Sequence, residues 1–304
     1  MTDPHIIGFI GLGTMGAPMC LNLARAAGYP VHAYDSSVTL SDDLVAAGVV
    51  AAGTLTGLAQ QADRVFLSLP DGAAVKQVCL GEDGLFARLS RGSVIIDMST
   101  SPVDLTRALA RQADARGVQW CDAPVARTRE AALRGELSIM VGGDAALFAE
   151  LEPMLRCMGT DVTFCGPVGA GQTVKILNNM LLFQQVCALA EAIGIARRSG
   201  LDPAVLLEVV AKGSGDSFAL RNHATKSMLP RQYPLRAFST RYAAKDLSYA
   251  LALAREVDIP ADGAELAMAR LQAAMAAGFA DHYFPAVLEL IDPDPDAAAP
   301  LNDS

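Results

Sequence analysis

The sequence predicts an α/β domain, built on a doubly wound sheet with helices on both faces, followed by an all-α second domain. Two observations carry this. In the first half, short runs rich in Val, Ile and Phe alternate with helix-length stretches rich in Ala and Leu; after Gly169 the runs stop and Ala/Leu/Met-rich stretches continue. A third observation sets the scale: 304 residues, 52% of them hydrophobic, suffice for about two domains, each burying its own core without disulfides or metal.

The candidate buried strands are the apolar runs at about 6–10, 31–34, 65–69, 93–96, 118–121 and 137–141, in a sheet of roughly six to eight strands. Helical stretches lie between most of them at about 16–27, 39–47, 73–79 and 102–115, which is the alternation a parallel sheet requires. The second half carries helical stretches at about 171–199, 203–212, 217–228, 240–256, 261–277 and 283–291. The Gly/Pro cluster Cys165-Gly166-Pro167-Val168-Gly169 suits a domain boundary. The expected organisation is therefore a dinucleotide-binding domain over 1–166, an all-α substrate and oligomerisation domain over 167–292, and a disordered tail over 293–304, where Pro, Asp and Ala offer little to bury.

The stretch 172–199 is apolar in nearly every direction, through Ile176, Leu177, Met180, Leu181, Leu182, Phe183 and Val186. Such a helix is expected to be buried. Arg197 and Arg198 in its last turn and Gly200 beyond mark its end. At about 28 residues it would span roughly 40 Å, enough to bridge two domains.

Charge and cysteine usage narrow the function classes. Lys and Arg number 24 against 33 Asp and Glu, a net charge of −9, and no Lys/Arg run occurs. That argues against nucleic acid or an anionic membrane surface and leaves a small, anionic ligand as the partner. The six cysteines include no C-x-x-C pair, and the four histidines form no H-E-x-x-H, so no metal site is expected and cysteine usage looks reduced. No signal-peptide pattern opens the sequence and no charge-free apolar stretch reaches the roughly 20 residues of a membrane span, so a cytoplasmic location is expected.

The strongest motif is Gly8-Phe9-Ile10-Gly11-Leu12-Gly13-Thr14-Met15-Gly16, which places G-x-G-x-x-G directly after an apolar run and before a helical stretch. In a Rossmann-type fold Gly11 permits the tight turn, Gly13 lets the backbone approach a pyrophosphate, and Gly16 allows close helix-strand packing; Leu12 and Met15 belong to the same binding loop. Asp35 closes the second apolar run about 20 residues on, where a carboxylate can bond the ribose hydroxyls of NAD. No Arg follows closely in Ser36-Ser37-Val38-Thr39, which favours NAD over NADP. Asp35 as a helix N-cap is the plainer alternative.

With these residues in view, the sequence resembles the β-hydroxyacid dehydrogenases, the family of 3-hydroxyisobutyrate dehydrogenase and tartronate semialdehyde reductase. The resemblance runs from residue 6 to about 290 through Ala17-Pro18-Met19, Ser68-Leu69-Pro70, Asp97-Met98-Ser99-Thr100, Asp122-Ala123-Pro124-Val125, Lys175-Ile176-Leu177-Asn178-Asn179 and Lys245-Asp246-Leu247. It implies that Leu69, Pro70, Ser99 and Thr100 border the nicotinamide half of the cofactor, and that Lys245 approaches the cofactor from the helical domain. A solvated helix lysine is the plainer reading of Lys245. The family signature G-x-G-x-x-x-K-x-x-x-N is met by Gly169, Gly171, Lys175 and Asn179, which makes Lys175 the expected catalytic residue. Lys175, Asn178 and Asn179 share one helix face at i, i+3 and i+4, and the two amides are expected to hold lysine and substrate. From the residues alone, a structural lysine with a snorkelling stem remains an equal reading.

The sequence departs from the family's common D-A-P-V-S-G-G loop, since Val125 is followed by Ala126-Arg127-Thr128. These three are the candidate substrate contacts, with Arg127 offering a fork of donors to a carboxylate, sulfonate or phosphate. A similar Arg-Thr occurs in the sulfolactaldehyde reductase branch of the family. The plainer reading has Arg127 facing solvent or pairing with Glu130. The expected function is an NAD-dependent dehydrogenase or reductase of a short hydroxy acid or semialdehyde, 3-sulfolactaldehyde included, working as a homodimer or homotetramer. Imine reduction on a similar scaffold and a non-catalytic dinucleotide-binding module are the alternatives, and the presence of Lys175 weighs against both.

Overall fold

A computed structural model describes residues 5–235 and 237–293. The expected tail from residue 294 and the first four residues lie outside the described residues. The chain divides into two compact units, 1–175 and 176–304.

Among the described residues the first unit contains nine strands: β1 (Ile7–Ile10), β2 (Val31–Tyr34), β3 (Val50–Ala51), β4 (Arg64–Leu67), β5 (Val94–Asp97), β6 (Gln119–Asp122), β7 (Val125–Ala126), β8 (Leu137–Gly142) and β9 (Gly159–Gly166). Helices α1 (Gly16–Ala27), α2 (Asp42–Ala46), α3 (Leu55–Gln61), α4 (Gly72–Leu80), α5 (Leu85–Arg88), α6 (Val103–Asp114), α7 (Arg129–Arg134) and α8 (Ala145–Leu155) connect them. The sheet order is β3-β2-β1-β4-β5-β6-β8-β7, with β9 paired to β8. β1 pairs in parallel with both β2 and β4, so the strand order reverses beside β1, and this crevice is where open α/β sheets bind ligands. The sheet turns antiparallel only where β8 meets β6 and β7.

Alternation along the central strands feeds two cores, because successive side chains point to opposite faces. Ile7, Phe9, Phe66, Val94 and Ile96 enter one cluster; Ile10, Val65, Leu67 and Ile95 enter the other. Each such fully buried side chain contributes roughly 1.5–3 kcal/mol. Two-sided burial is the reason these strands appear in sequence as unbroken apolar runs. The count of nine exceeds the expected six to eight: β3 and β7 are two-residue strands, and β9 is a largely exposed edge whose Gly-Thr-Asp opening lacks an apolar run.

α9 (Ala170–Arg198) starts in the first unit and continues into the second, which adds α10 (Pro203–Val210), a π-helical segment Leu220–Met228, α11 (Thr240–Glu256), α12 (Asp262–Ala274) and α13 (Leu288–Ile291). The expected helix at 283–291 divides into a 3-10 turn, Phe284–Val287, and α13. Phe183, Phe238 and Phe284 form an aromatic cluster in this unit, with ring centroids 5.3–6.1 Å apart; Phe183 and Phe284 are buried and Phe238 reaches the surface. The expectation that α9 is buried all round is corrected. Ile176, Phe183, Val186 and Ile193 are buried, but Leu177, Leu181 and Ile195 are 38%, 54% and 68% exposed. One chain covers only one face of this helix. By length and composition α9 could cross a membrane; its inward residues make it a core helix of the fold.

Candidate functional site

The Gly-rich turn links β1 to α1. Gly11 has φ +97°, and a Cβ there would lie 2.2 Å from the Ser68 carbonyl oxygen; at Gly16 it would lie 2.0 Å from the Gly11 oxygen. Both positions therefore exclude a side chain, one for its backbone conformation and both for close approach. A Cβ on Gly13 would meet nothing within 4 Å, so this side of the turn is open, as a diphosphate needs. Met15, preceding α1, makes no side-chain cap, and the first turn of α1 contains no acidic residue. The Ala17 N–H is taken by the Gly13 oxygen at 3.1 Å and Pro18 has no N–H, so the helix start meets an anion through the Gly16 N–H and the turn before it. These residues fit a dinucleotide.

Asp35 follows β2, half-buried, and its carboxylate ties the loop together. Oδ2 accepts the Leu12 N–H at 2.7 Å, while Oδ1 accepts the N–H groups of Ser37 at 2.8 Å and Val38 at 3.0 Å and the Ser37 hydroxyl at 3.1 Å. Burial raises the Asp35 pKa, but these donors outweigh it and hold the carboxyl below its usual range. Oδ2 takes a single bond and retains acceptor capacity for a ribose hydroxyl. A cavity of about 200 Å³ opens beside it, lined by Leu12, Tyr34, Leu40 and Ala52 among others. Asp35 does not cap a helix; the N-cap of α2 is Ser41.

The loops after β4 and β5 meet where the Leu69 N–H donates to Ser99 Oγ at 2.9 Å. Leu69 and Ser99 are thereby brought together beyond the C-terminal ends of β4 and β5, with Pro70 and Thr100 beside them in the chain. Below them is a group that the motif reading left without a role. Asp97, fully buried at the end of β5, accepts the Ser99 N–H at 3.0 Å and the Ser101 hydroxyl at 3.1 Å. Burial, with a smaller push from Asp122, raises its carboxyl to about 6 against those donors.

Asp122, at the end of β6, is also fully buried and accepts the Gly169 N–H at 2.7 Å and the Gln172 N–H at 2.9 Å. It caps the start of α9 from another strand. Burial lifts its carboxyl to about 6, opposed by the N–H donors of Gly169, just before α9, and of Gln172 in its first turn. The two glycines of the signature acquire physical reasons. Gly169 has φ +91°, and a Cβ on Gly171 would lie 2.3 Å from the Met140 oxygen and 2.9 Å from Asp122 Oδ2. Gly171 lets the first turn of α9 press onto β6 and β8. Lys175 stands half-buried one turn further along.

In the second unit, Asn179 is buried and donates through Nδ2 to Asp246 Oδ2 at 2.7 Å; Asn178 is exposed and donates to Asn179 Oδ1 at 3.1 Å. Asp246 also pairs with Lys245, Nζ to Oδ1 at 3.0 Å, and the Lys245 ammonium lies 5.4 Å from the ring centroids of Tyr242 and Tyr249. Lys245 is therefore not simply solvated. Asp246, quoted within the Lys-Asp-Leu motif but given no role, joins Asn179 to Lys245.

The three substrate-loop candidates have local partners. Ala126 pairs with Ser138 across β7 and β8. Thr128 caps α7, its hydroxyl accepting the Ala131 N–H at 3.4 Å. Arg127 has φ +87°, and its guanidinium donates to the Glu136 carbonyl at 2.6 Å, to Thr160 Oγ1 at 3.0 Å and to Asp161 at 2.5 Å. Its acid is Asp161 on β9, and the expected alternative partner, Glu130, is not used.

Comparison with known proteins agrees with this geometry. Residues 6–166 match the NAD binding domain of 6-phosphogluconate dehydrogenase, and residues 169–291 match the family described as NAD-binding of NADP-dependent 3-hydroxyisobutyrate dehydrogenase. The chain is similar to 2-(hydroxymethyl)glutarate dehydrogenase of Eubacterium barkeri, 34% identical over 284 residues covering 93% of this chain and 94% of that protein. It is also similar to 2-hydroxy-3-oxopropionate reductase of Escherichia coli, 36% identical over 250 residues covering 82% and 84%. Among solved structures, 3-hydroxyisobutyrate dehydrogenase of Mycobacterium tuberculosis with L-serine superimposes with a TM-score of 0.85 at 31% identity, covering 95% of this chain and 99% of that one. A Gly-rich turn built for a dinucleotide, a lysine helix seated on the sheet by two glycines, and relatives matched along nearly their whole length lead to one conclusion: the chain belongs to the β-hydroxyacid dehydrogenase family, in its 3-hydroxyisobutyrate dehydrogenase-like group, and is an NAD(P)-dependent oxidoreductase of CH–OH groups.

Proposed function

We propose that the protein interconverts a short-chain hydroxy acid and its semialdehyde using NAD, with Lys175 carrying the proton. The observation that carries the reading is the anchorage of the Lys175 helix: its first turn is bonded to Asp122 and, through the Gln172 side chain, to the segment after β5 that holds Ser99. The nicotinamide cofactor, when bound, supplies or accepts the hydride. The oxygen on the reacting carbon must then gain or lose a proton. The Lys175 ammonium gives that proton to the nascent alkoxide in reduction, and the neutral amine removes it in oxidation. Asn179, braced by Asp246, orients the lysine and the substrate oxygen. NAD over NADP is supported by Asp35, whose carboxylate would repel a 2′-phosphate, and by the lack of an arginine in residues 36–39.

For the acid group of the substrate, a carboxylate takes precedence. A sulfonate such as that of 3-sulfolactaldehyde would draw on Arg127, whose donors already serve Glu136, Thr160 and Asp161. Self-association into a dimer or tetramer is supported by the exposed Leu177, Leu181 and Ile195 of α9, and light scattering tests it. The reaction is tested with Lys175→Ala and a panel of 3-hydroxyisobutyrate, L-serine, 2-hydroxy-3-oxopropionate, 3-sulfolactaldehyde and cyclic imines. Turnover of the hydroxy acids or semialdehydes should fall by about 10²- to 10⁴-fold while NADH still binds. Near-full activity of the variant, or turnover of imines alone, refutes the reading.

A further inference from the structure

Gln172 is fully buried, and its carboxamide meets one segment with both of its ends. Nε2 donates to the Ser99 carbonyl at 2.8 Å and Oε1 accepts the Ser101 N–H at 3.1 Å, while the Gln172 main-chain N–H goes to Asp122. The partners fix the orientation of the amide, since a carbonyl needs a donor and an N–H an acceptor. The same segment reaches further. Ser99 Oγ accepts the Leu69 N–H, and Asp97 holds the Ser99 N–H and the Ser101 hydroxyl. One connected set of hydrogen bonds thus runs from the loop after β4, through the loop after β5, into the first turn of α9.

Burying a carboxamide is unfavourable unless every bond is made, and an apolar side chain would fill this position without that risk. What the amide adds is register. Apolar packing tolerates a slide of the helix along its axis, whereas a planar group donating and accepting on one strand end does not. Lys175 follows Gln172 by three residues, close to one turn of α9. We propose that Gln172 is a positioning residue: it fixes α9 against the Ser99–Ser101 segment and so sets the depth at which the Lys175 ammonium meets the substrate oxygen. The inference rests on the reading of Lys175 as proton carrier.

The test is Gln172→Met, which keeps length and apolar bulk and removes both bonds. It is assayed with the panel substrate that the unmodified protein turns over fastest. Expected are a 10- to 100-fold fall in kcat, an NADH Kd within twofold of the unmodified protein by fluorescence titration, and a larger solvent deuterium isotope effect on kcat. A displacement of about 1 Å can cost a factor of this size. Gln172→Leu serves as the second variant should the first fail to fold. Leucine keeps apolar bulk and can neither donate to Ser99 nor accept from Ser101, and it should lose kcat in the same way. A kcat within twofold in a folded variant overturns the proposal, whatever the change in melting temperature. So does a fall in kcat matched by an equal fall in NADH affinity, which would place the effect on the cofactor loops. If Lys175→Ala retains activity, the underlying reading fails; if Lys175→Ala is inactive and the Gln172 variants keep full kcat, this inference alone fails.

Discussion

Gly171→Ala puts a single methyl group where the Lys175 helix meets the sheet. The added Cβ would stand 2.3 Å from the Met140 oxygen, 2.9 Å from Asp122 Oδ2 and 3.0 Å from the Asp122 oxygen, against an ordinary contact that begins at 3.4 Å. Two of these atoms are strand backbone in β6 and β8 and have little freedom to retreat, so the first turn of α9 must lift by about 1 Å, a displacement large enough to cost on the order of 100-fold in rate. That movement stretches the Gly169 and Gln172 bonds to Asp122, now 2.7 and 2.9 Å. Overpacking costs about 1–3 kcal/mol, and weakening bonds to a buried carboxylate adds about 1.5–3 kcal/mol at the limit. A melting temperature lower by roughly 5–10 °C is expected, with kcat reduced about 100-fold. Differential scanning fluorimetry and steady-state kinetics read the two effects. Gly263→Ala is the control, because a Cβ there meets only the Gln184 side chain at 3.4–3.5 Å and the substitution should stabilise α12 by up to about 1 kcal/mol. A Gly171→Ala protein with unchanged melting temperature and kcat would refute the account of the signature glycine.

Asp35→Ser should narrow the preference for NADH over NADPH at least tenfold in kcat/KM, and it should also loosen the Leu12 loop that Asp35 holds; an unchanged cofactor ratio removes Asp35 from cofactor selection. His223 is buried with Nδ1 2.5 Å from the Tyr283 hydroxyl, and burial, aided by Lys226, pushes its pKa down to about 4. A depressed histidine favours the folded state fully above the unfolded value of about 6.5, and that contribution is lost as pH falls toward 4, to the extent of roughly 3 kcal/mol. The stability difference between the unmodified protein and His223→Leu should therefore shrink or reverse between pH 6.5 and 4; Asp97 and Asp122, whose raised pKa values act in the opposite sense, are common to both proteins and cancel. A pH-independent difference in urea midpoints would contradict the buried neutral imidazole. Arg127→Gly should be more stable than Arg127→Ala by about 1 kcal/mol, since both lose the Asp161 pair and only glycine suits φ +87°. Arg127→Ala should also affect acidic and uncharged aldehydes equally, and a loss confined to anionic substrates would return Arg127 to the substrate site.

The parts of the fold that were legible in the sequence are those specified by local rules. β1, the Gly-rich turn and α1 follow from an apolar run, three glycines and an Ala/Leu stretch, and α1 occupies the expected 16–27. The central strands were legible because burial on both faces removes polar residues from them. β9 was not, since an exposed edge strand carries Thr and Asp as a loop would. Lys175 and Asn179 are recognisable by spacing, but Asp97, Asp122 and Gln172 are not, because their partners are set by the tertiary fold: the Asp122 bond to Gln172 spans 50 residues and the Gln172 bond to Ser99 spans 73. Arg127 shows the converse. A guanidinium in a loop looks free for a ligand until its acceptors, 9, 33 and 34 residues away, are seen.

The capping of α9 by Asp122 has a consequence for how the helix opens. Helix ends fray because their first N–H groups have no acceptor within the helix. Here the Ala170 N–H is taken by Pro167, the Gln172 N–H by Asp122 and the Thr173 N–H by Gly169. Amide hydrogen exchange at the start of this 29-residue helix should accordingly be slow and governed by sub-global opening of the sheet unit, not by local fraying. The end of the helix that bears the lysine would then be among the last parts of the molecule to exchange, so the proton-transfer apparatus stays assembled through the small openings that peripheral loops undergo.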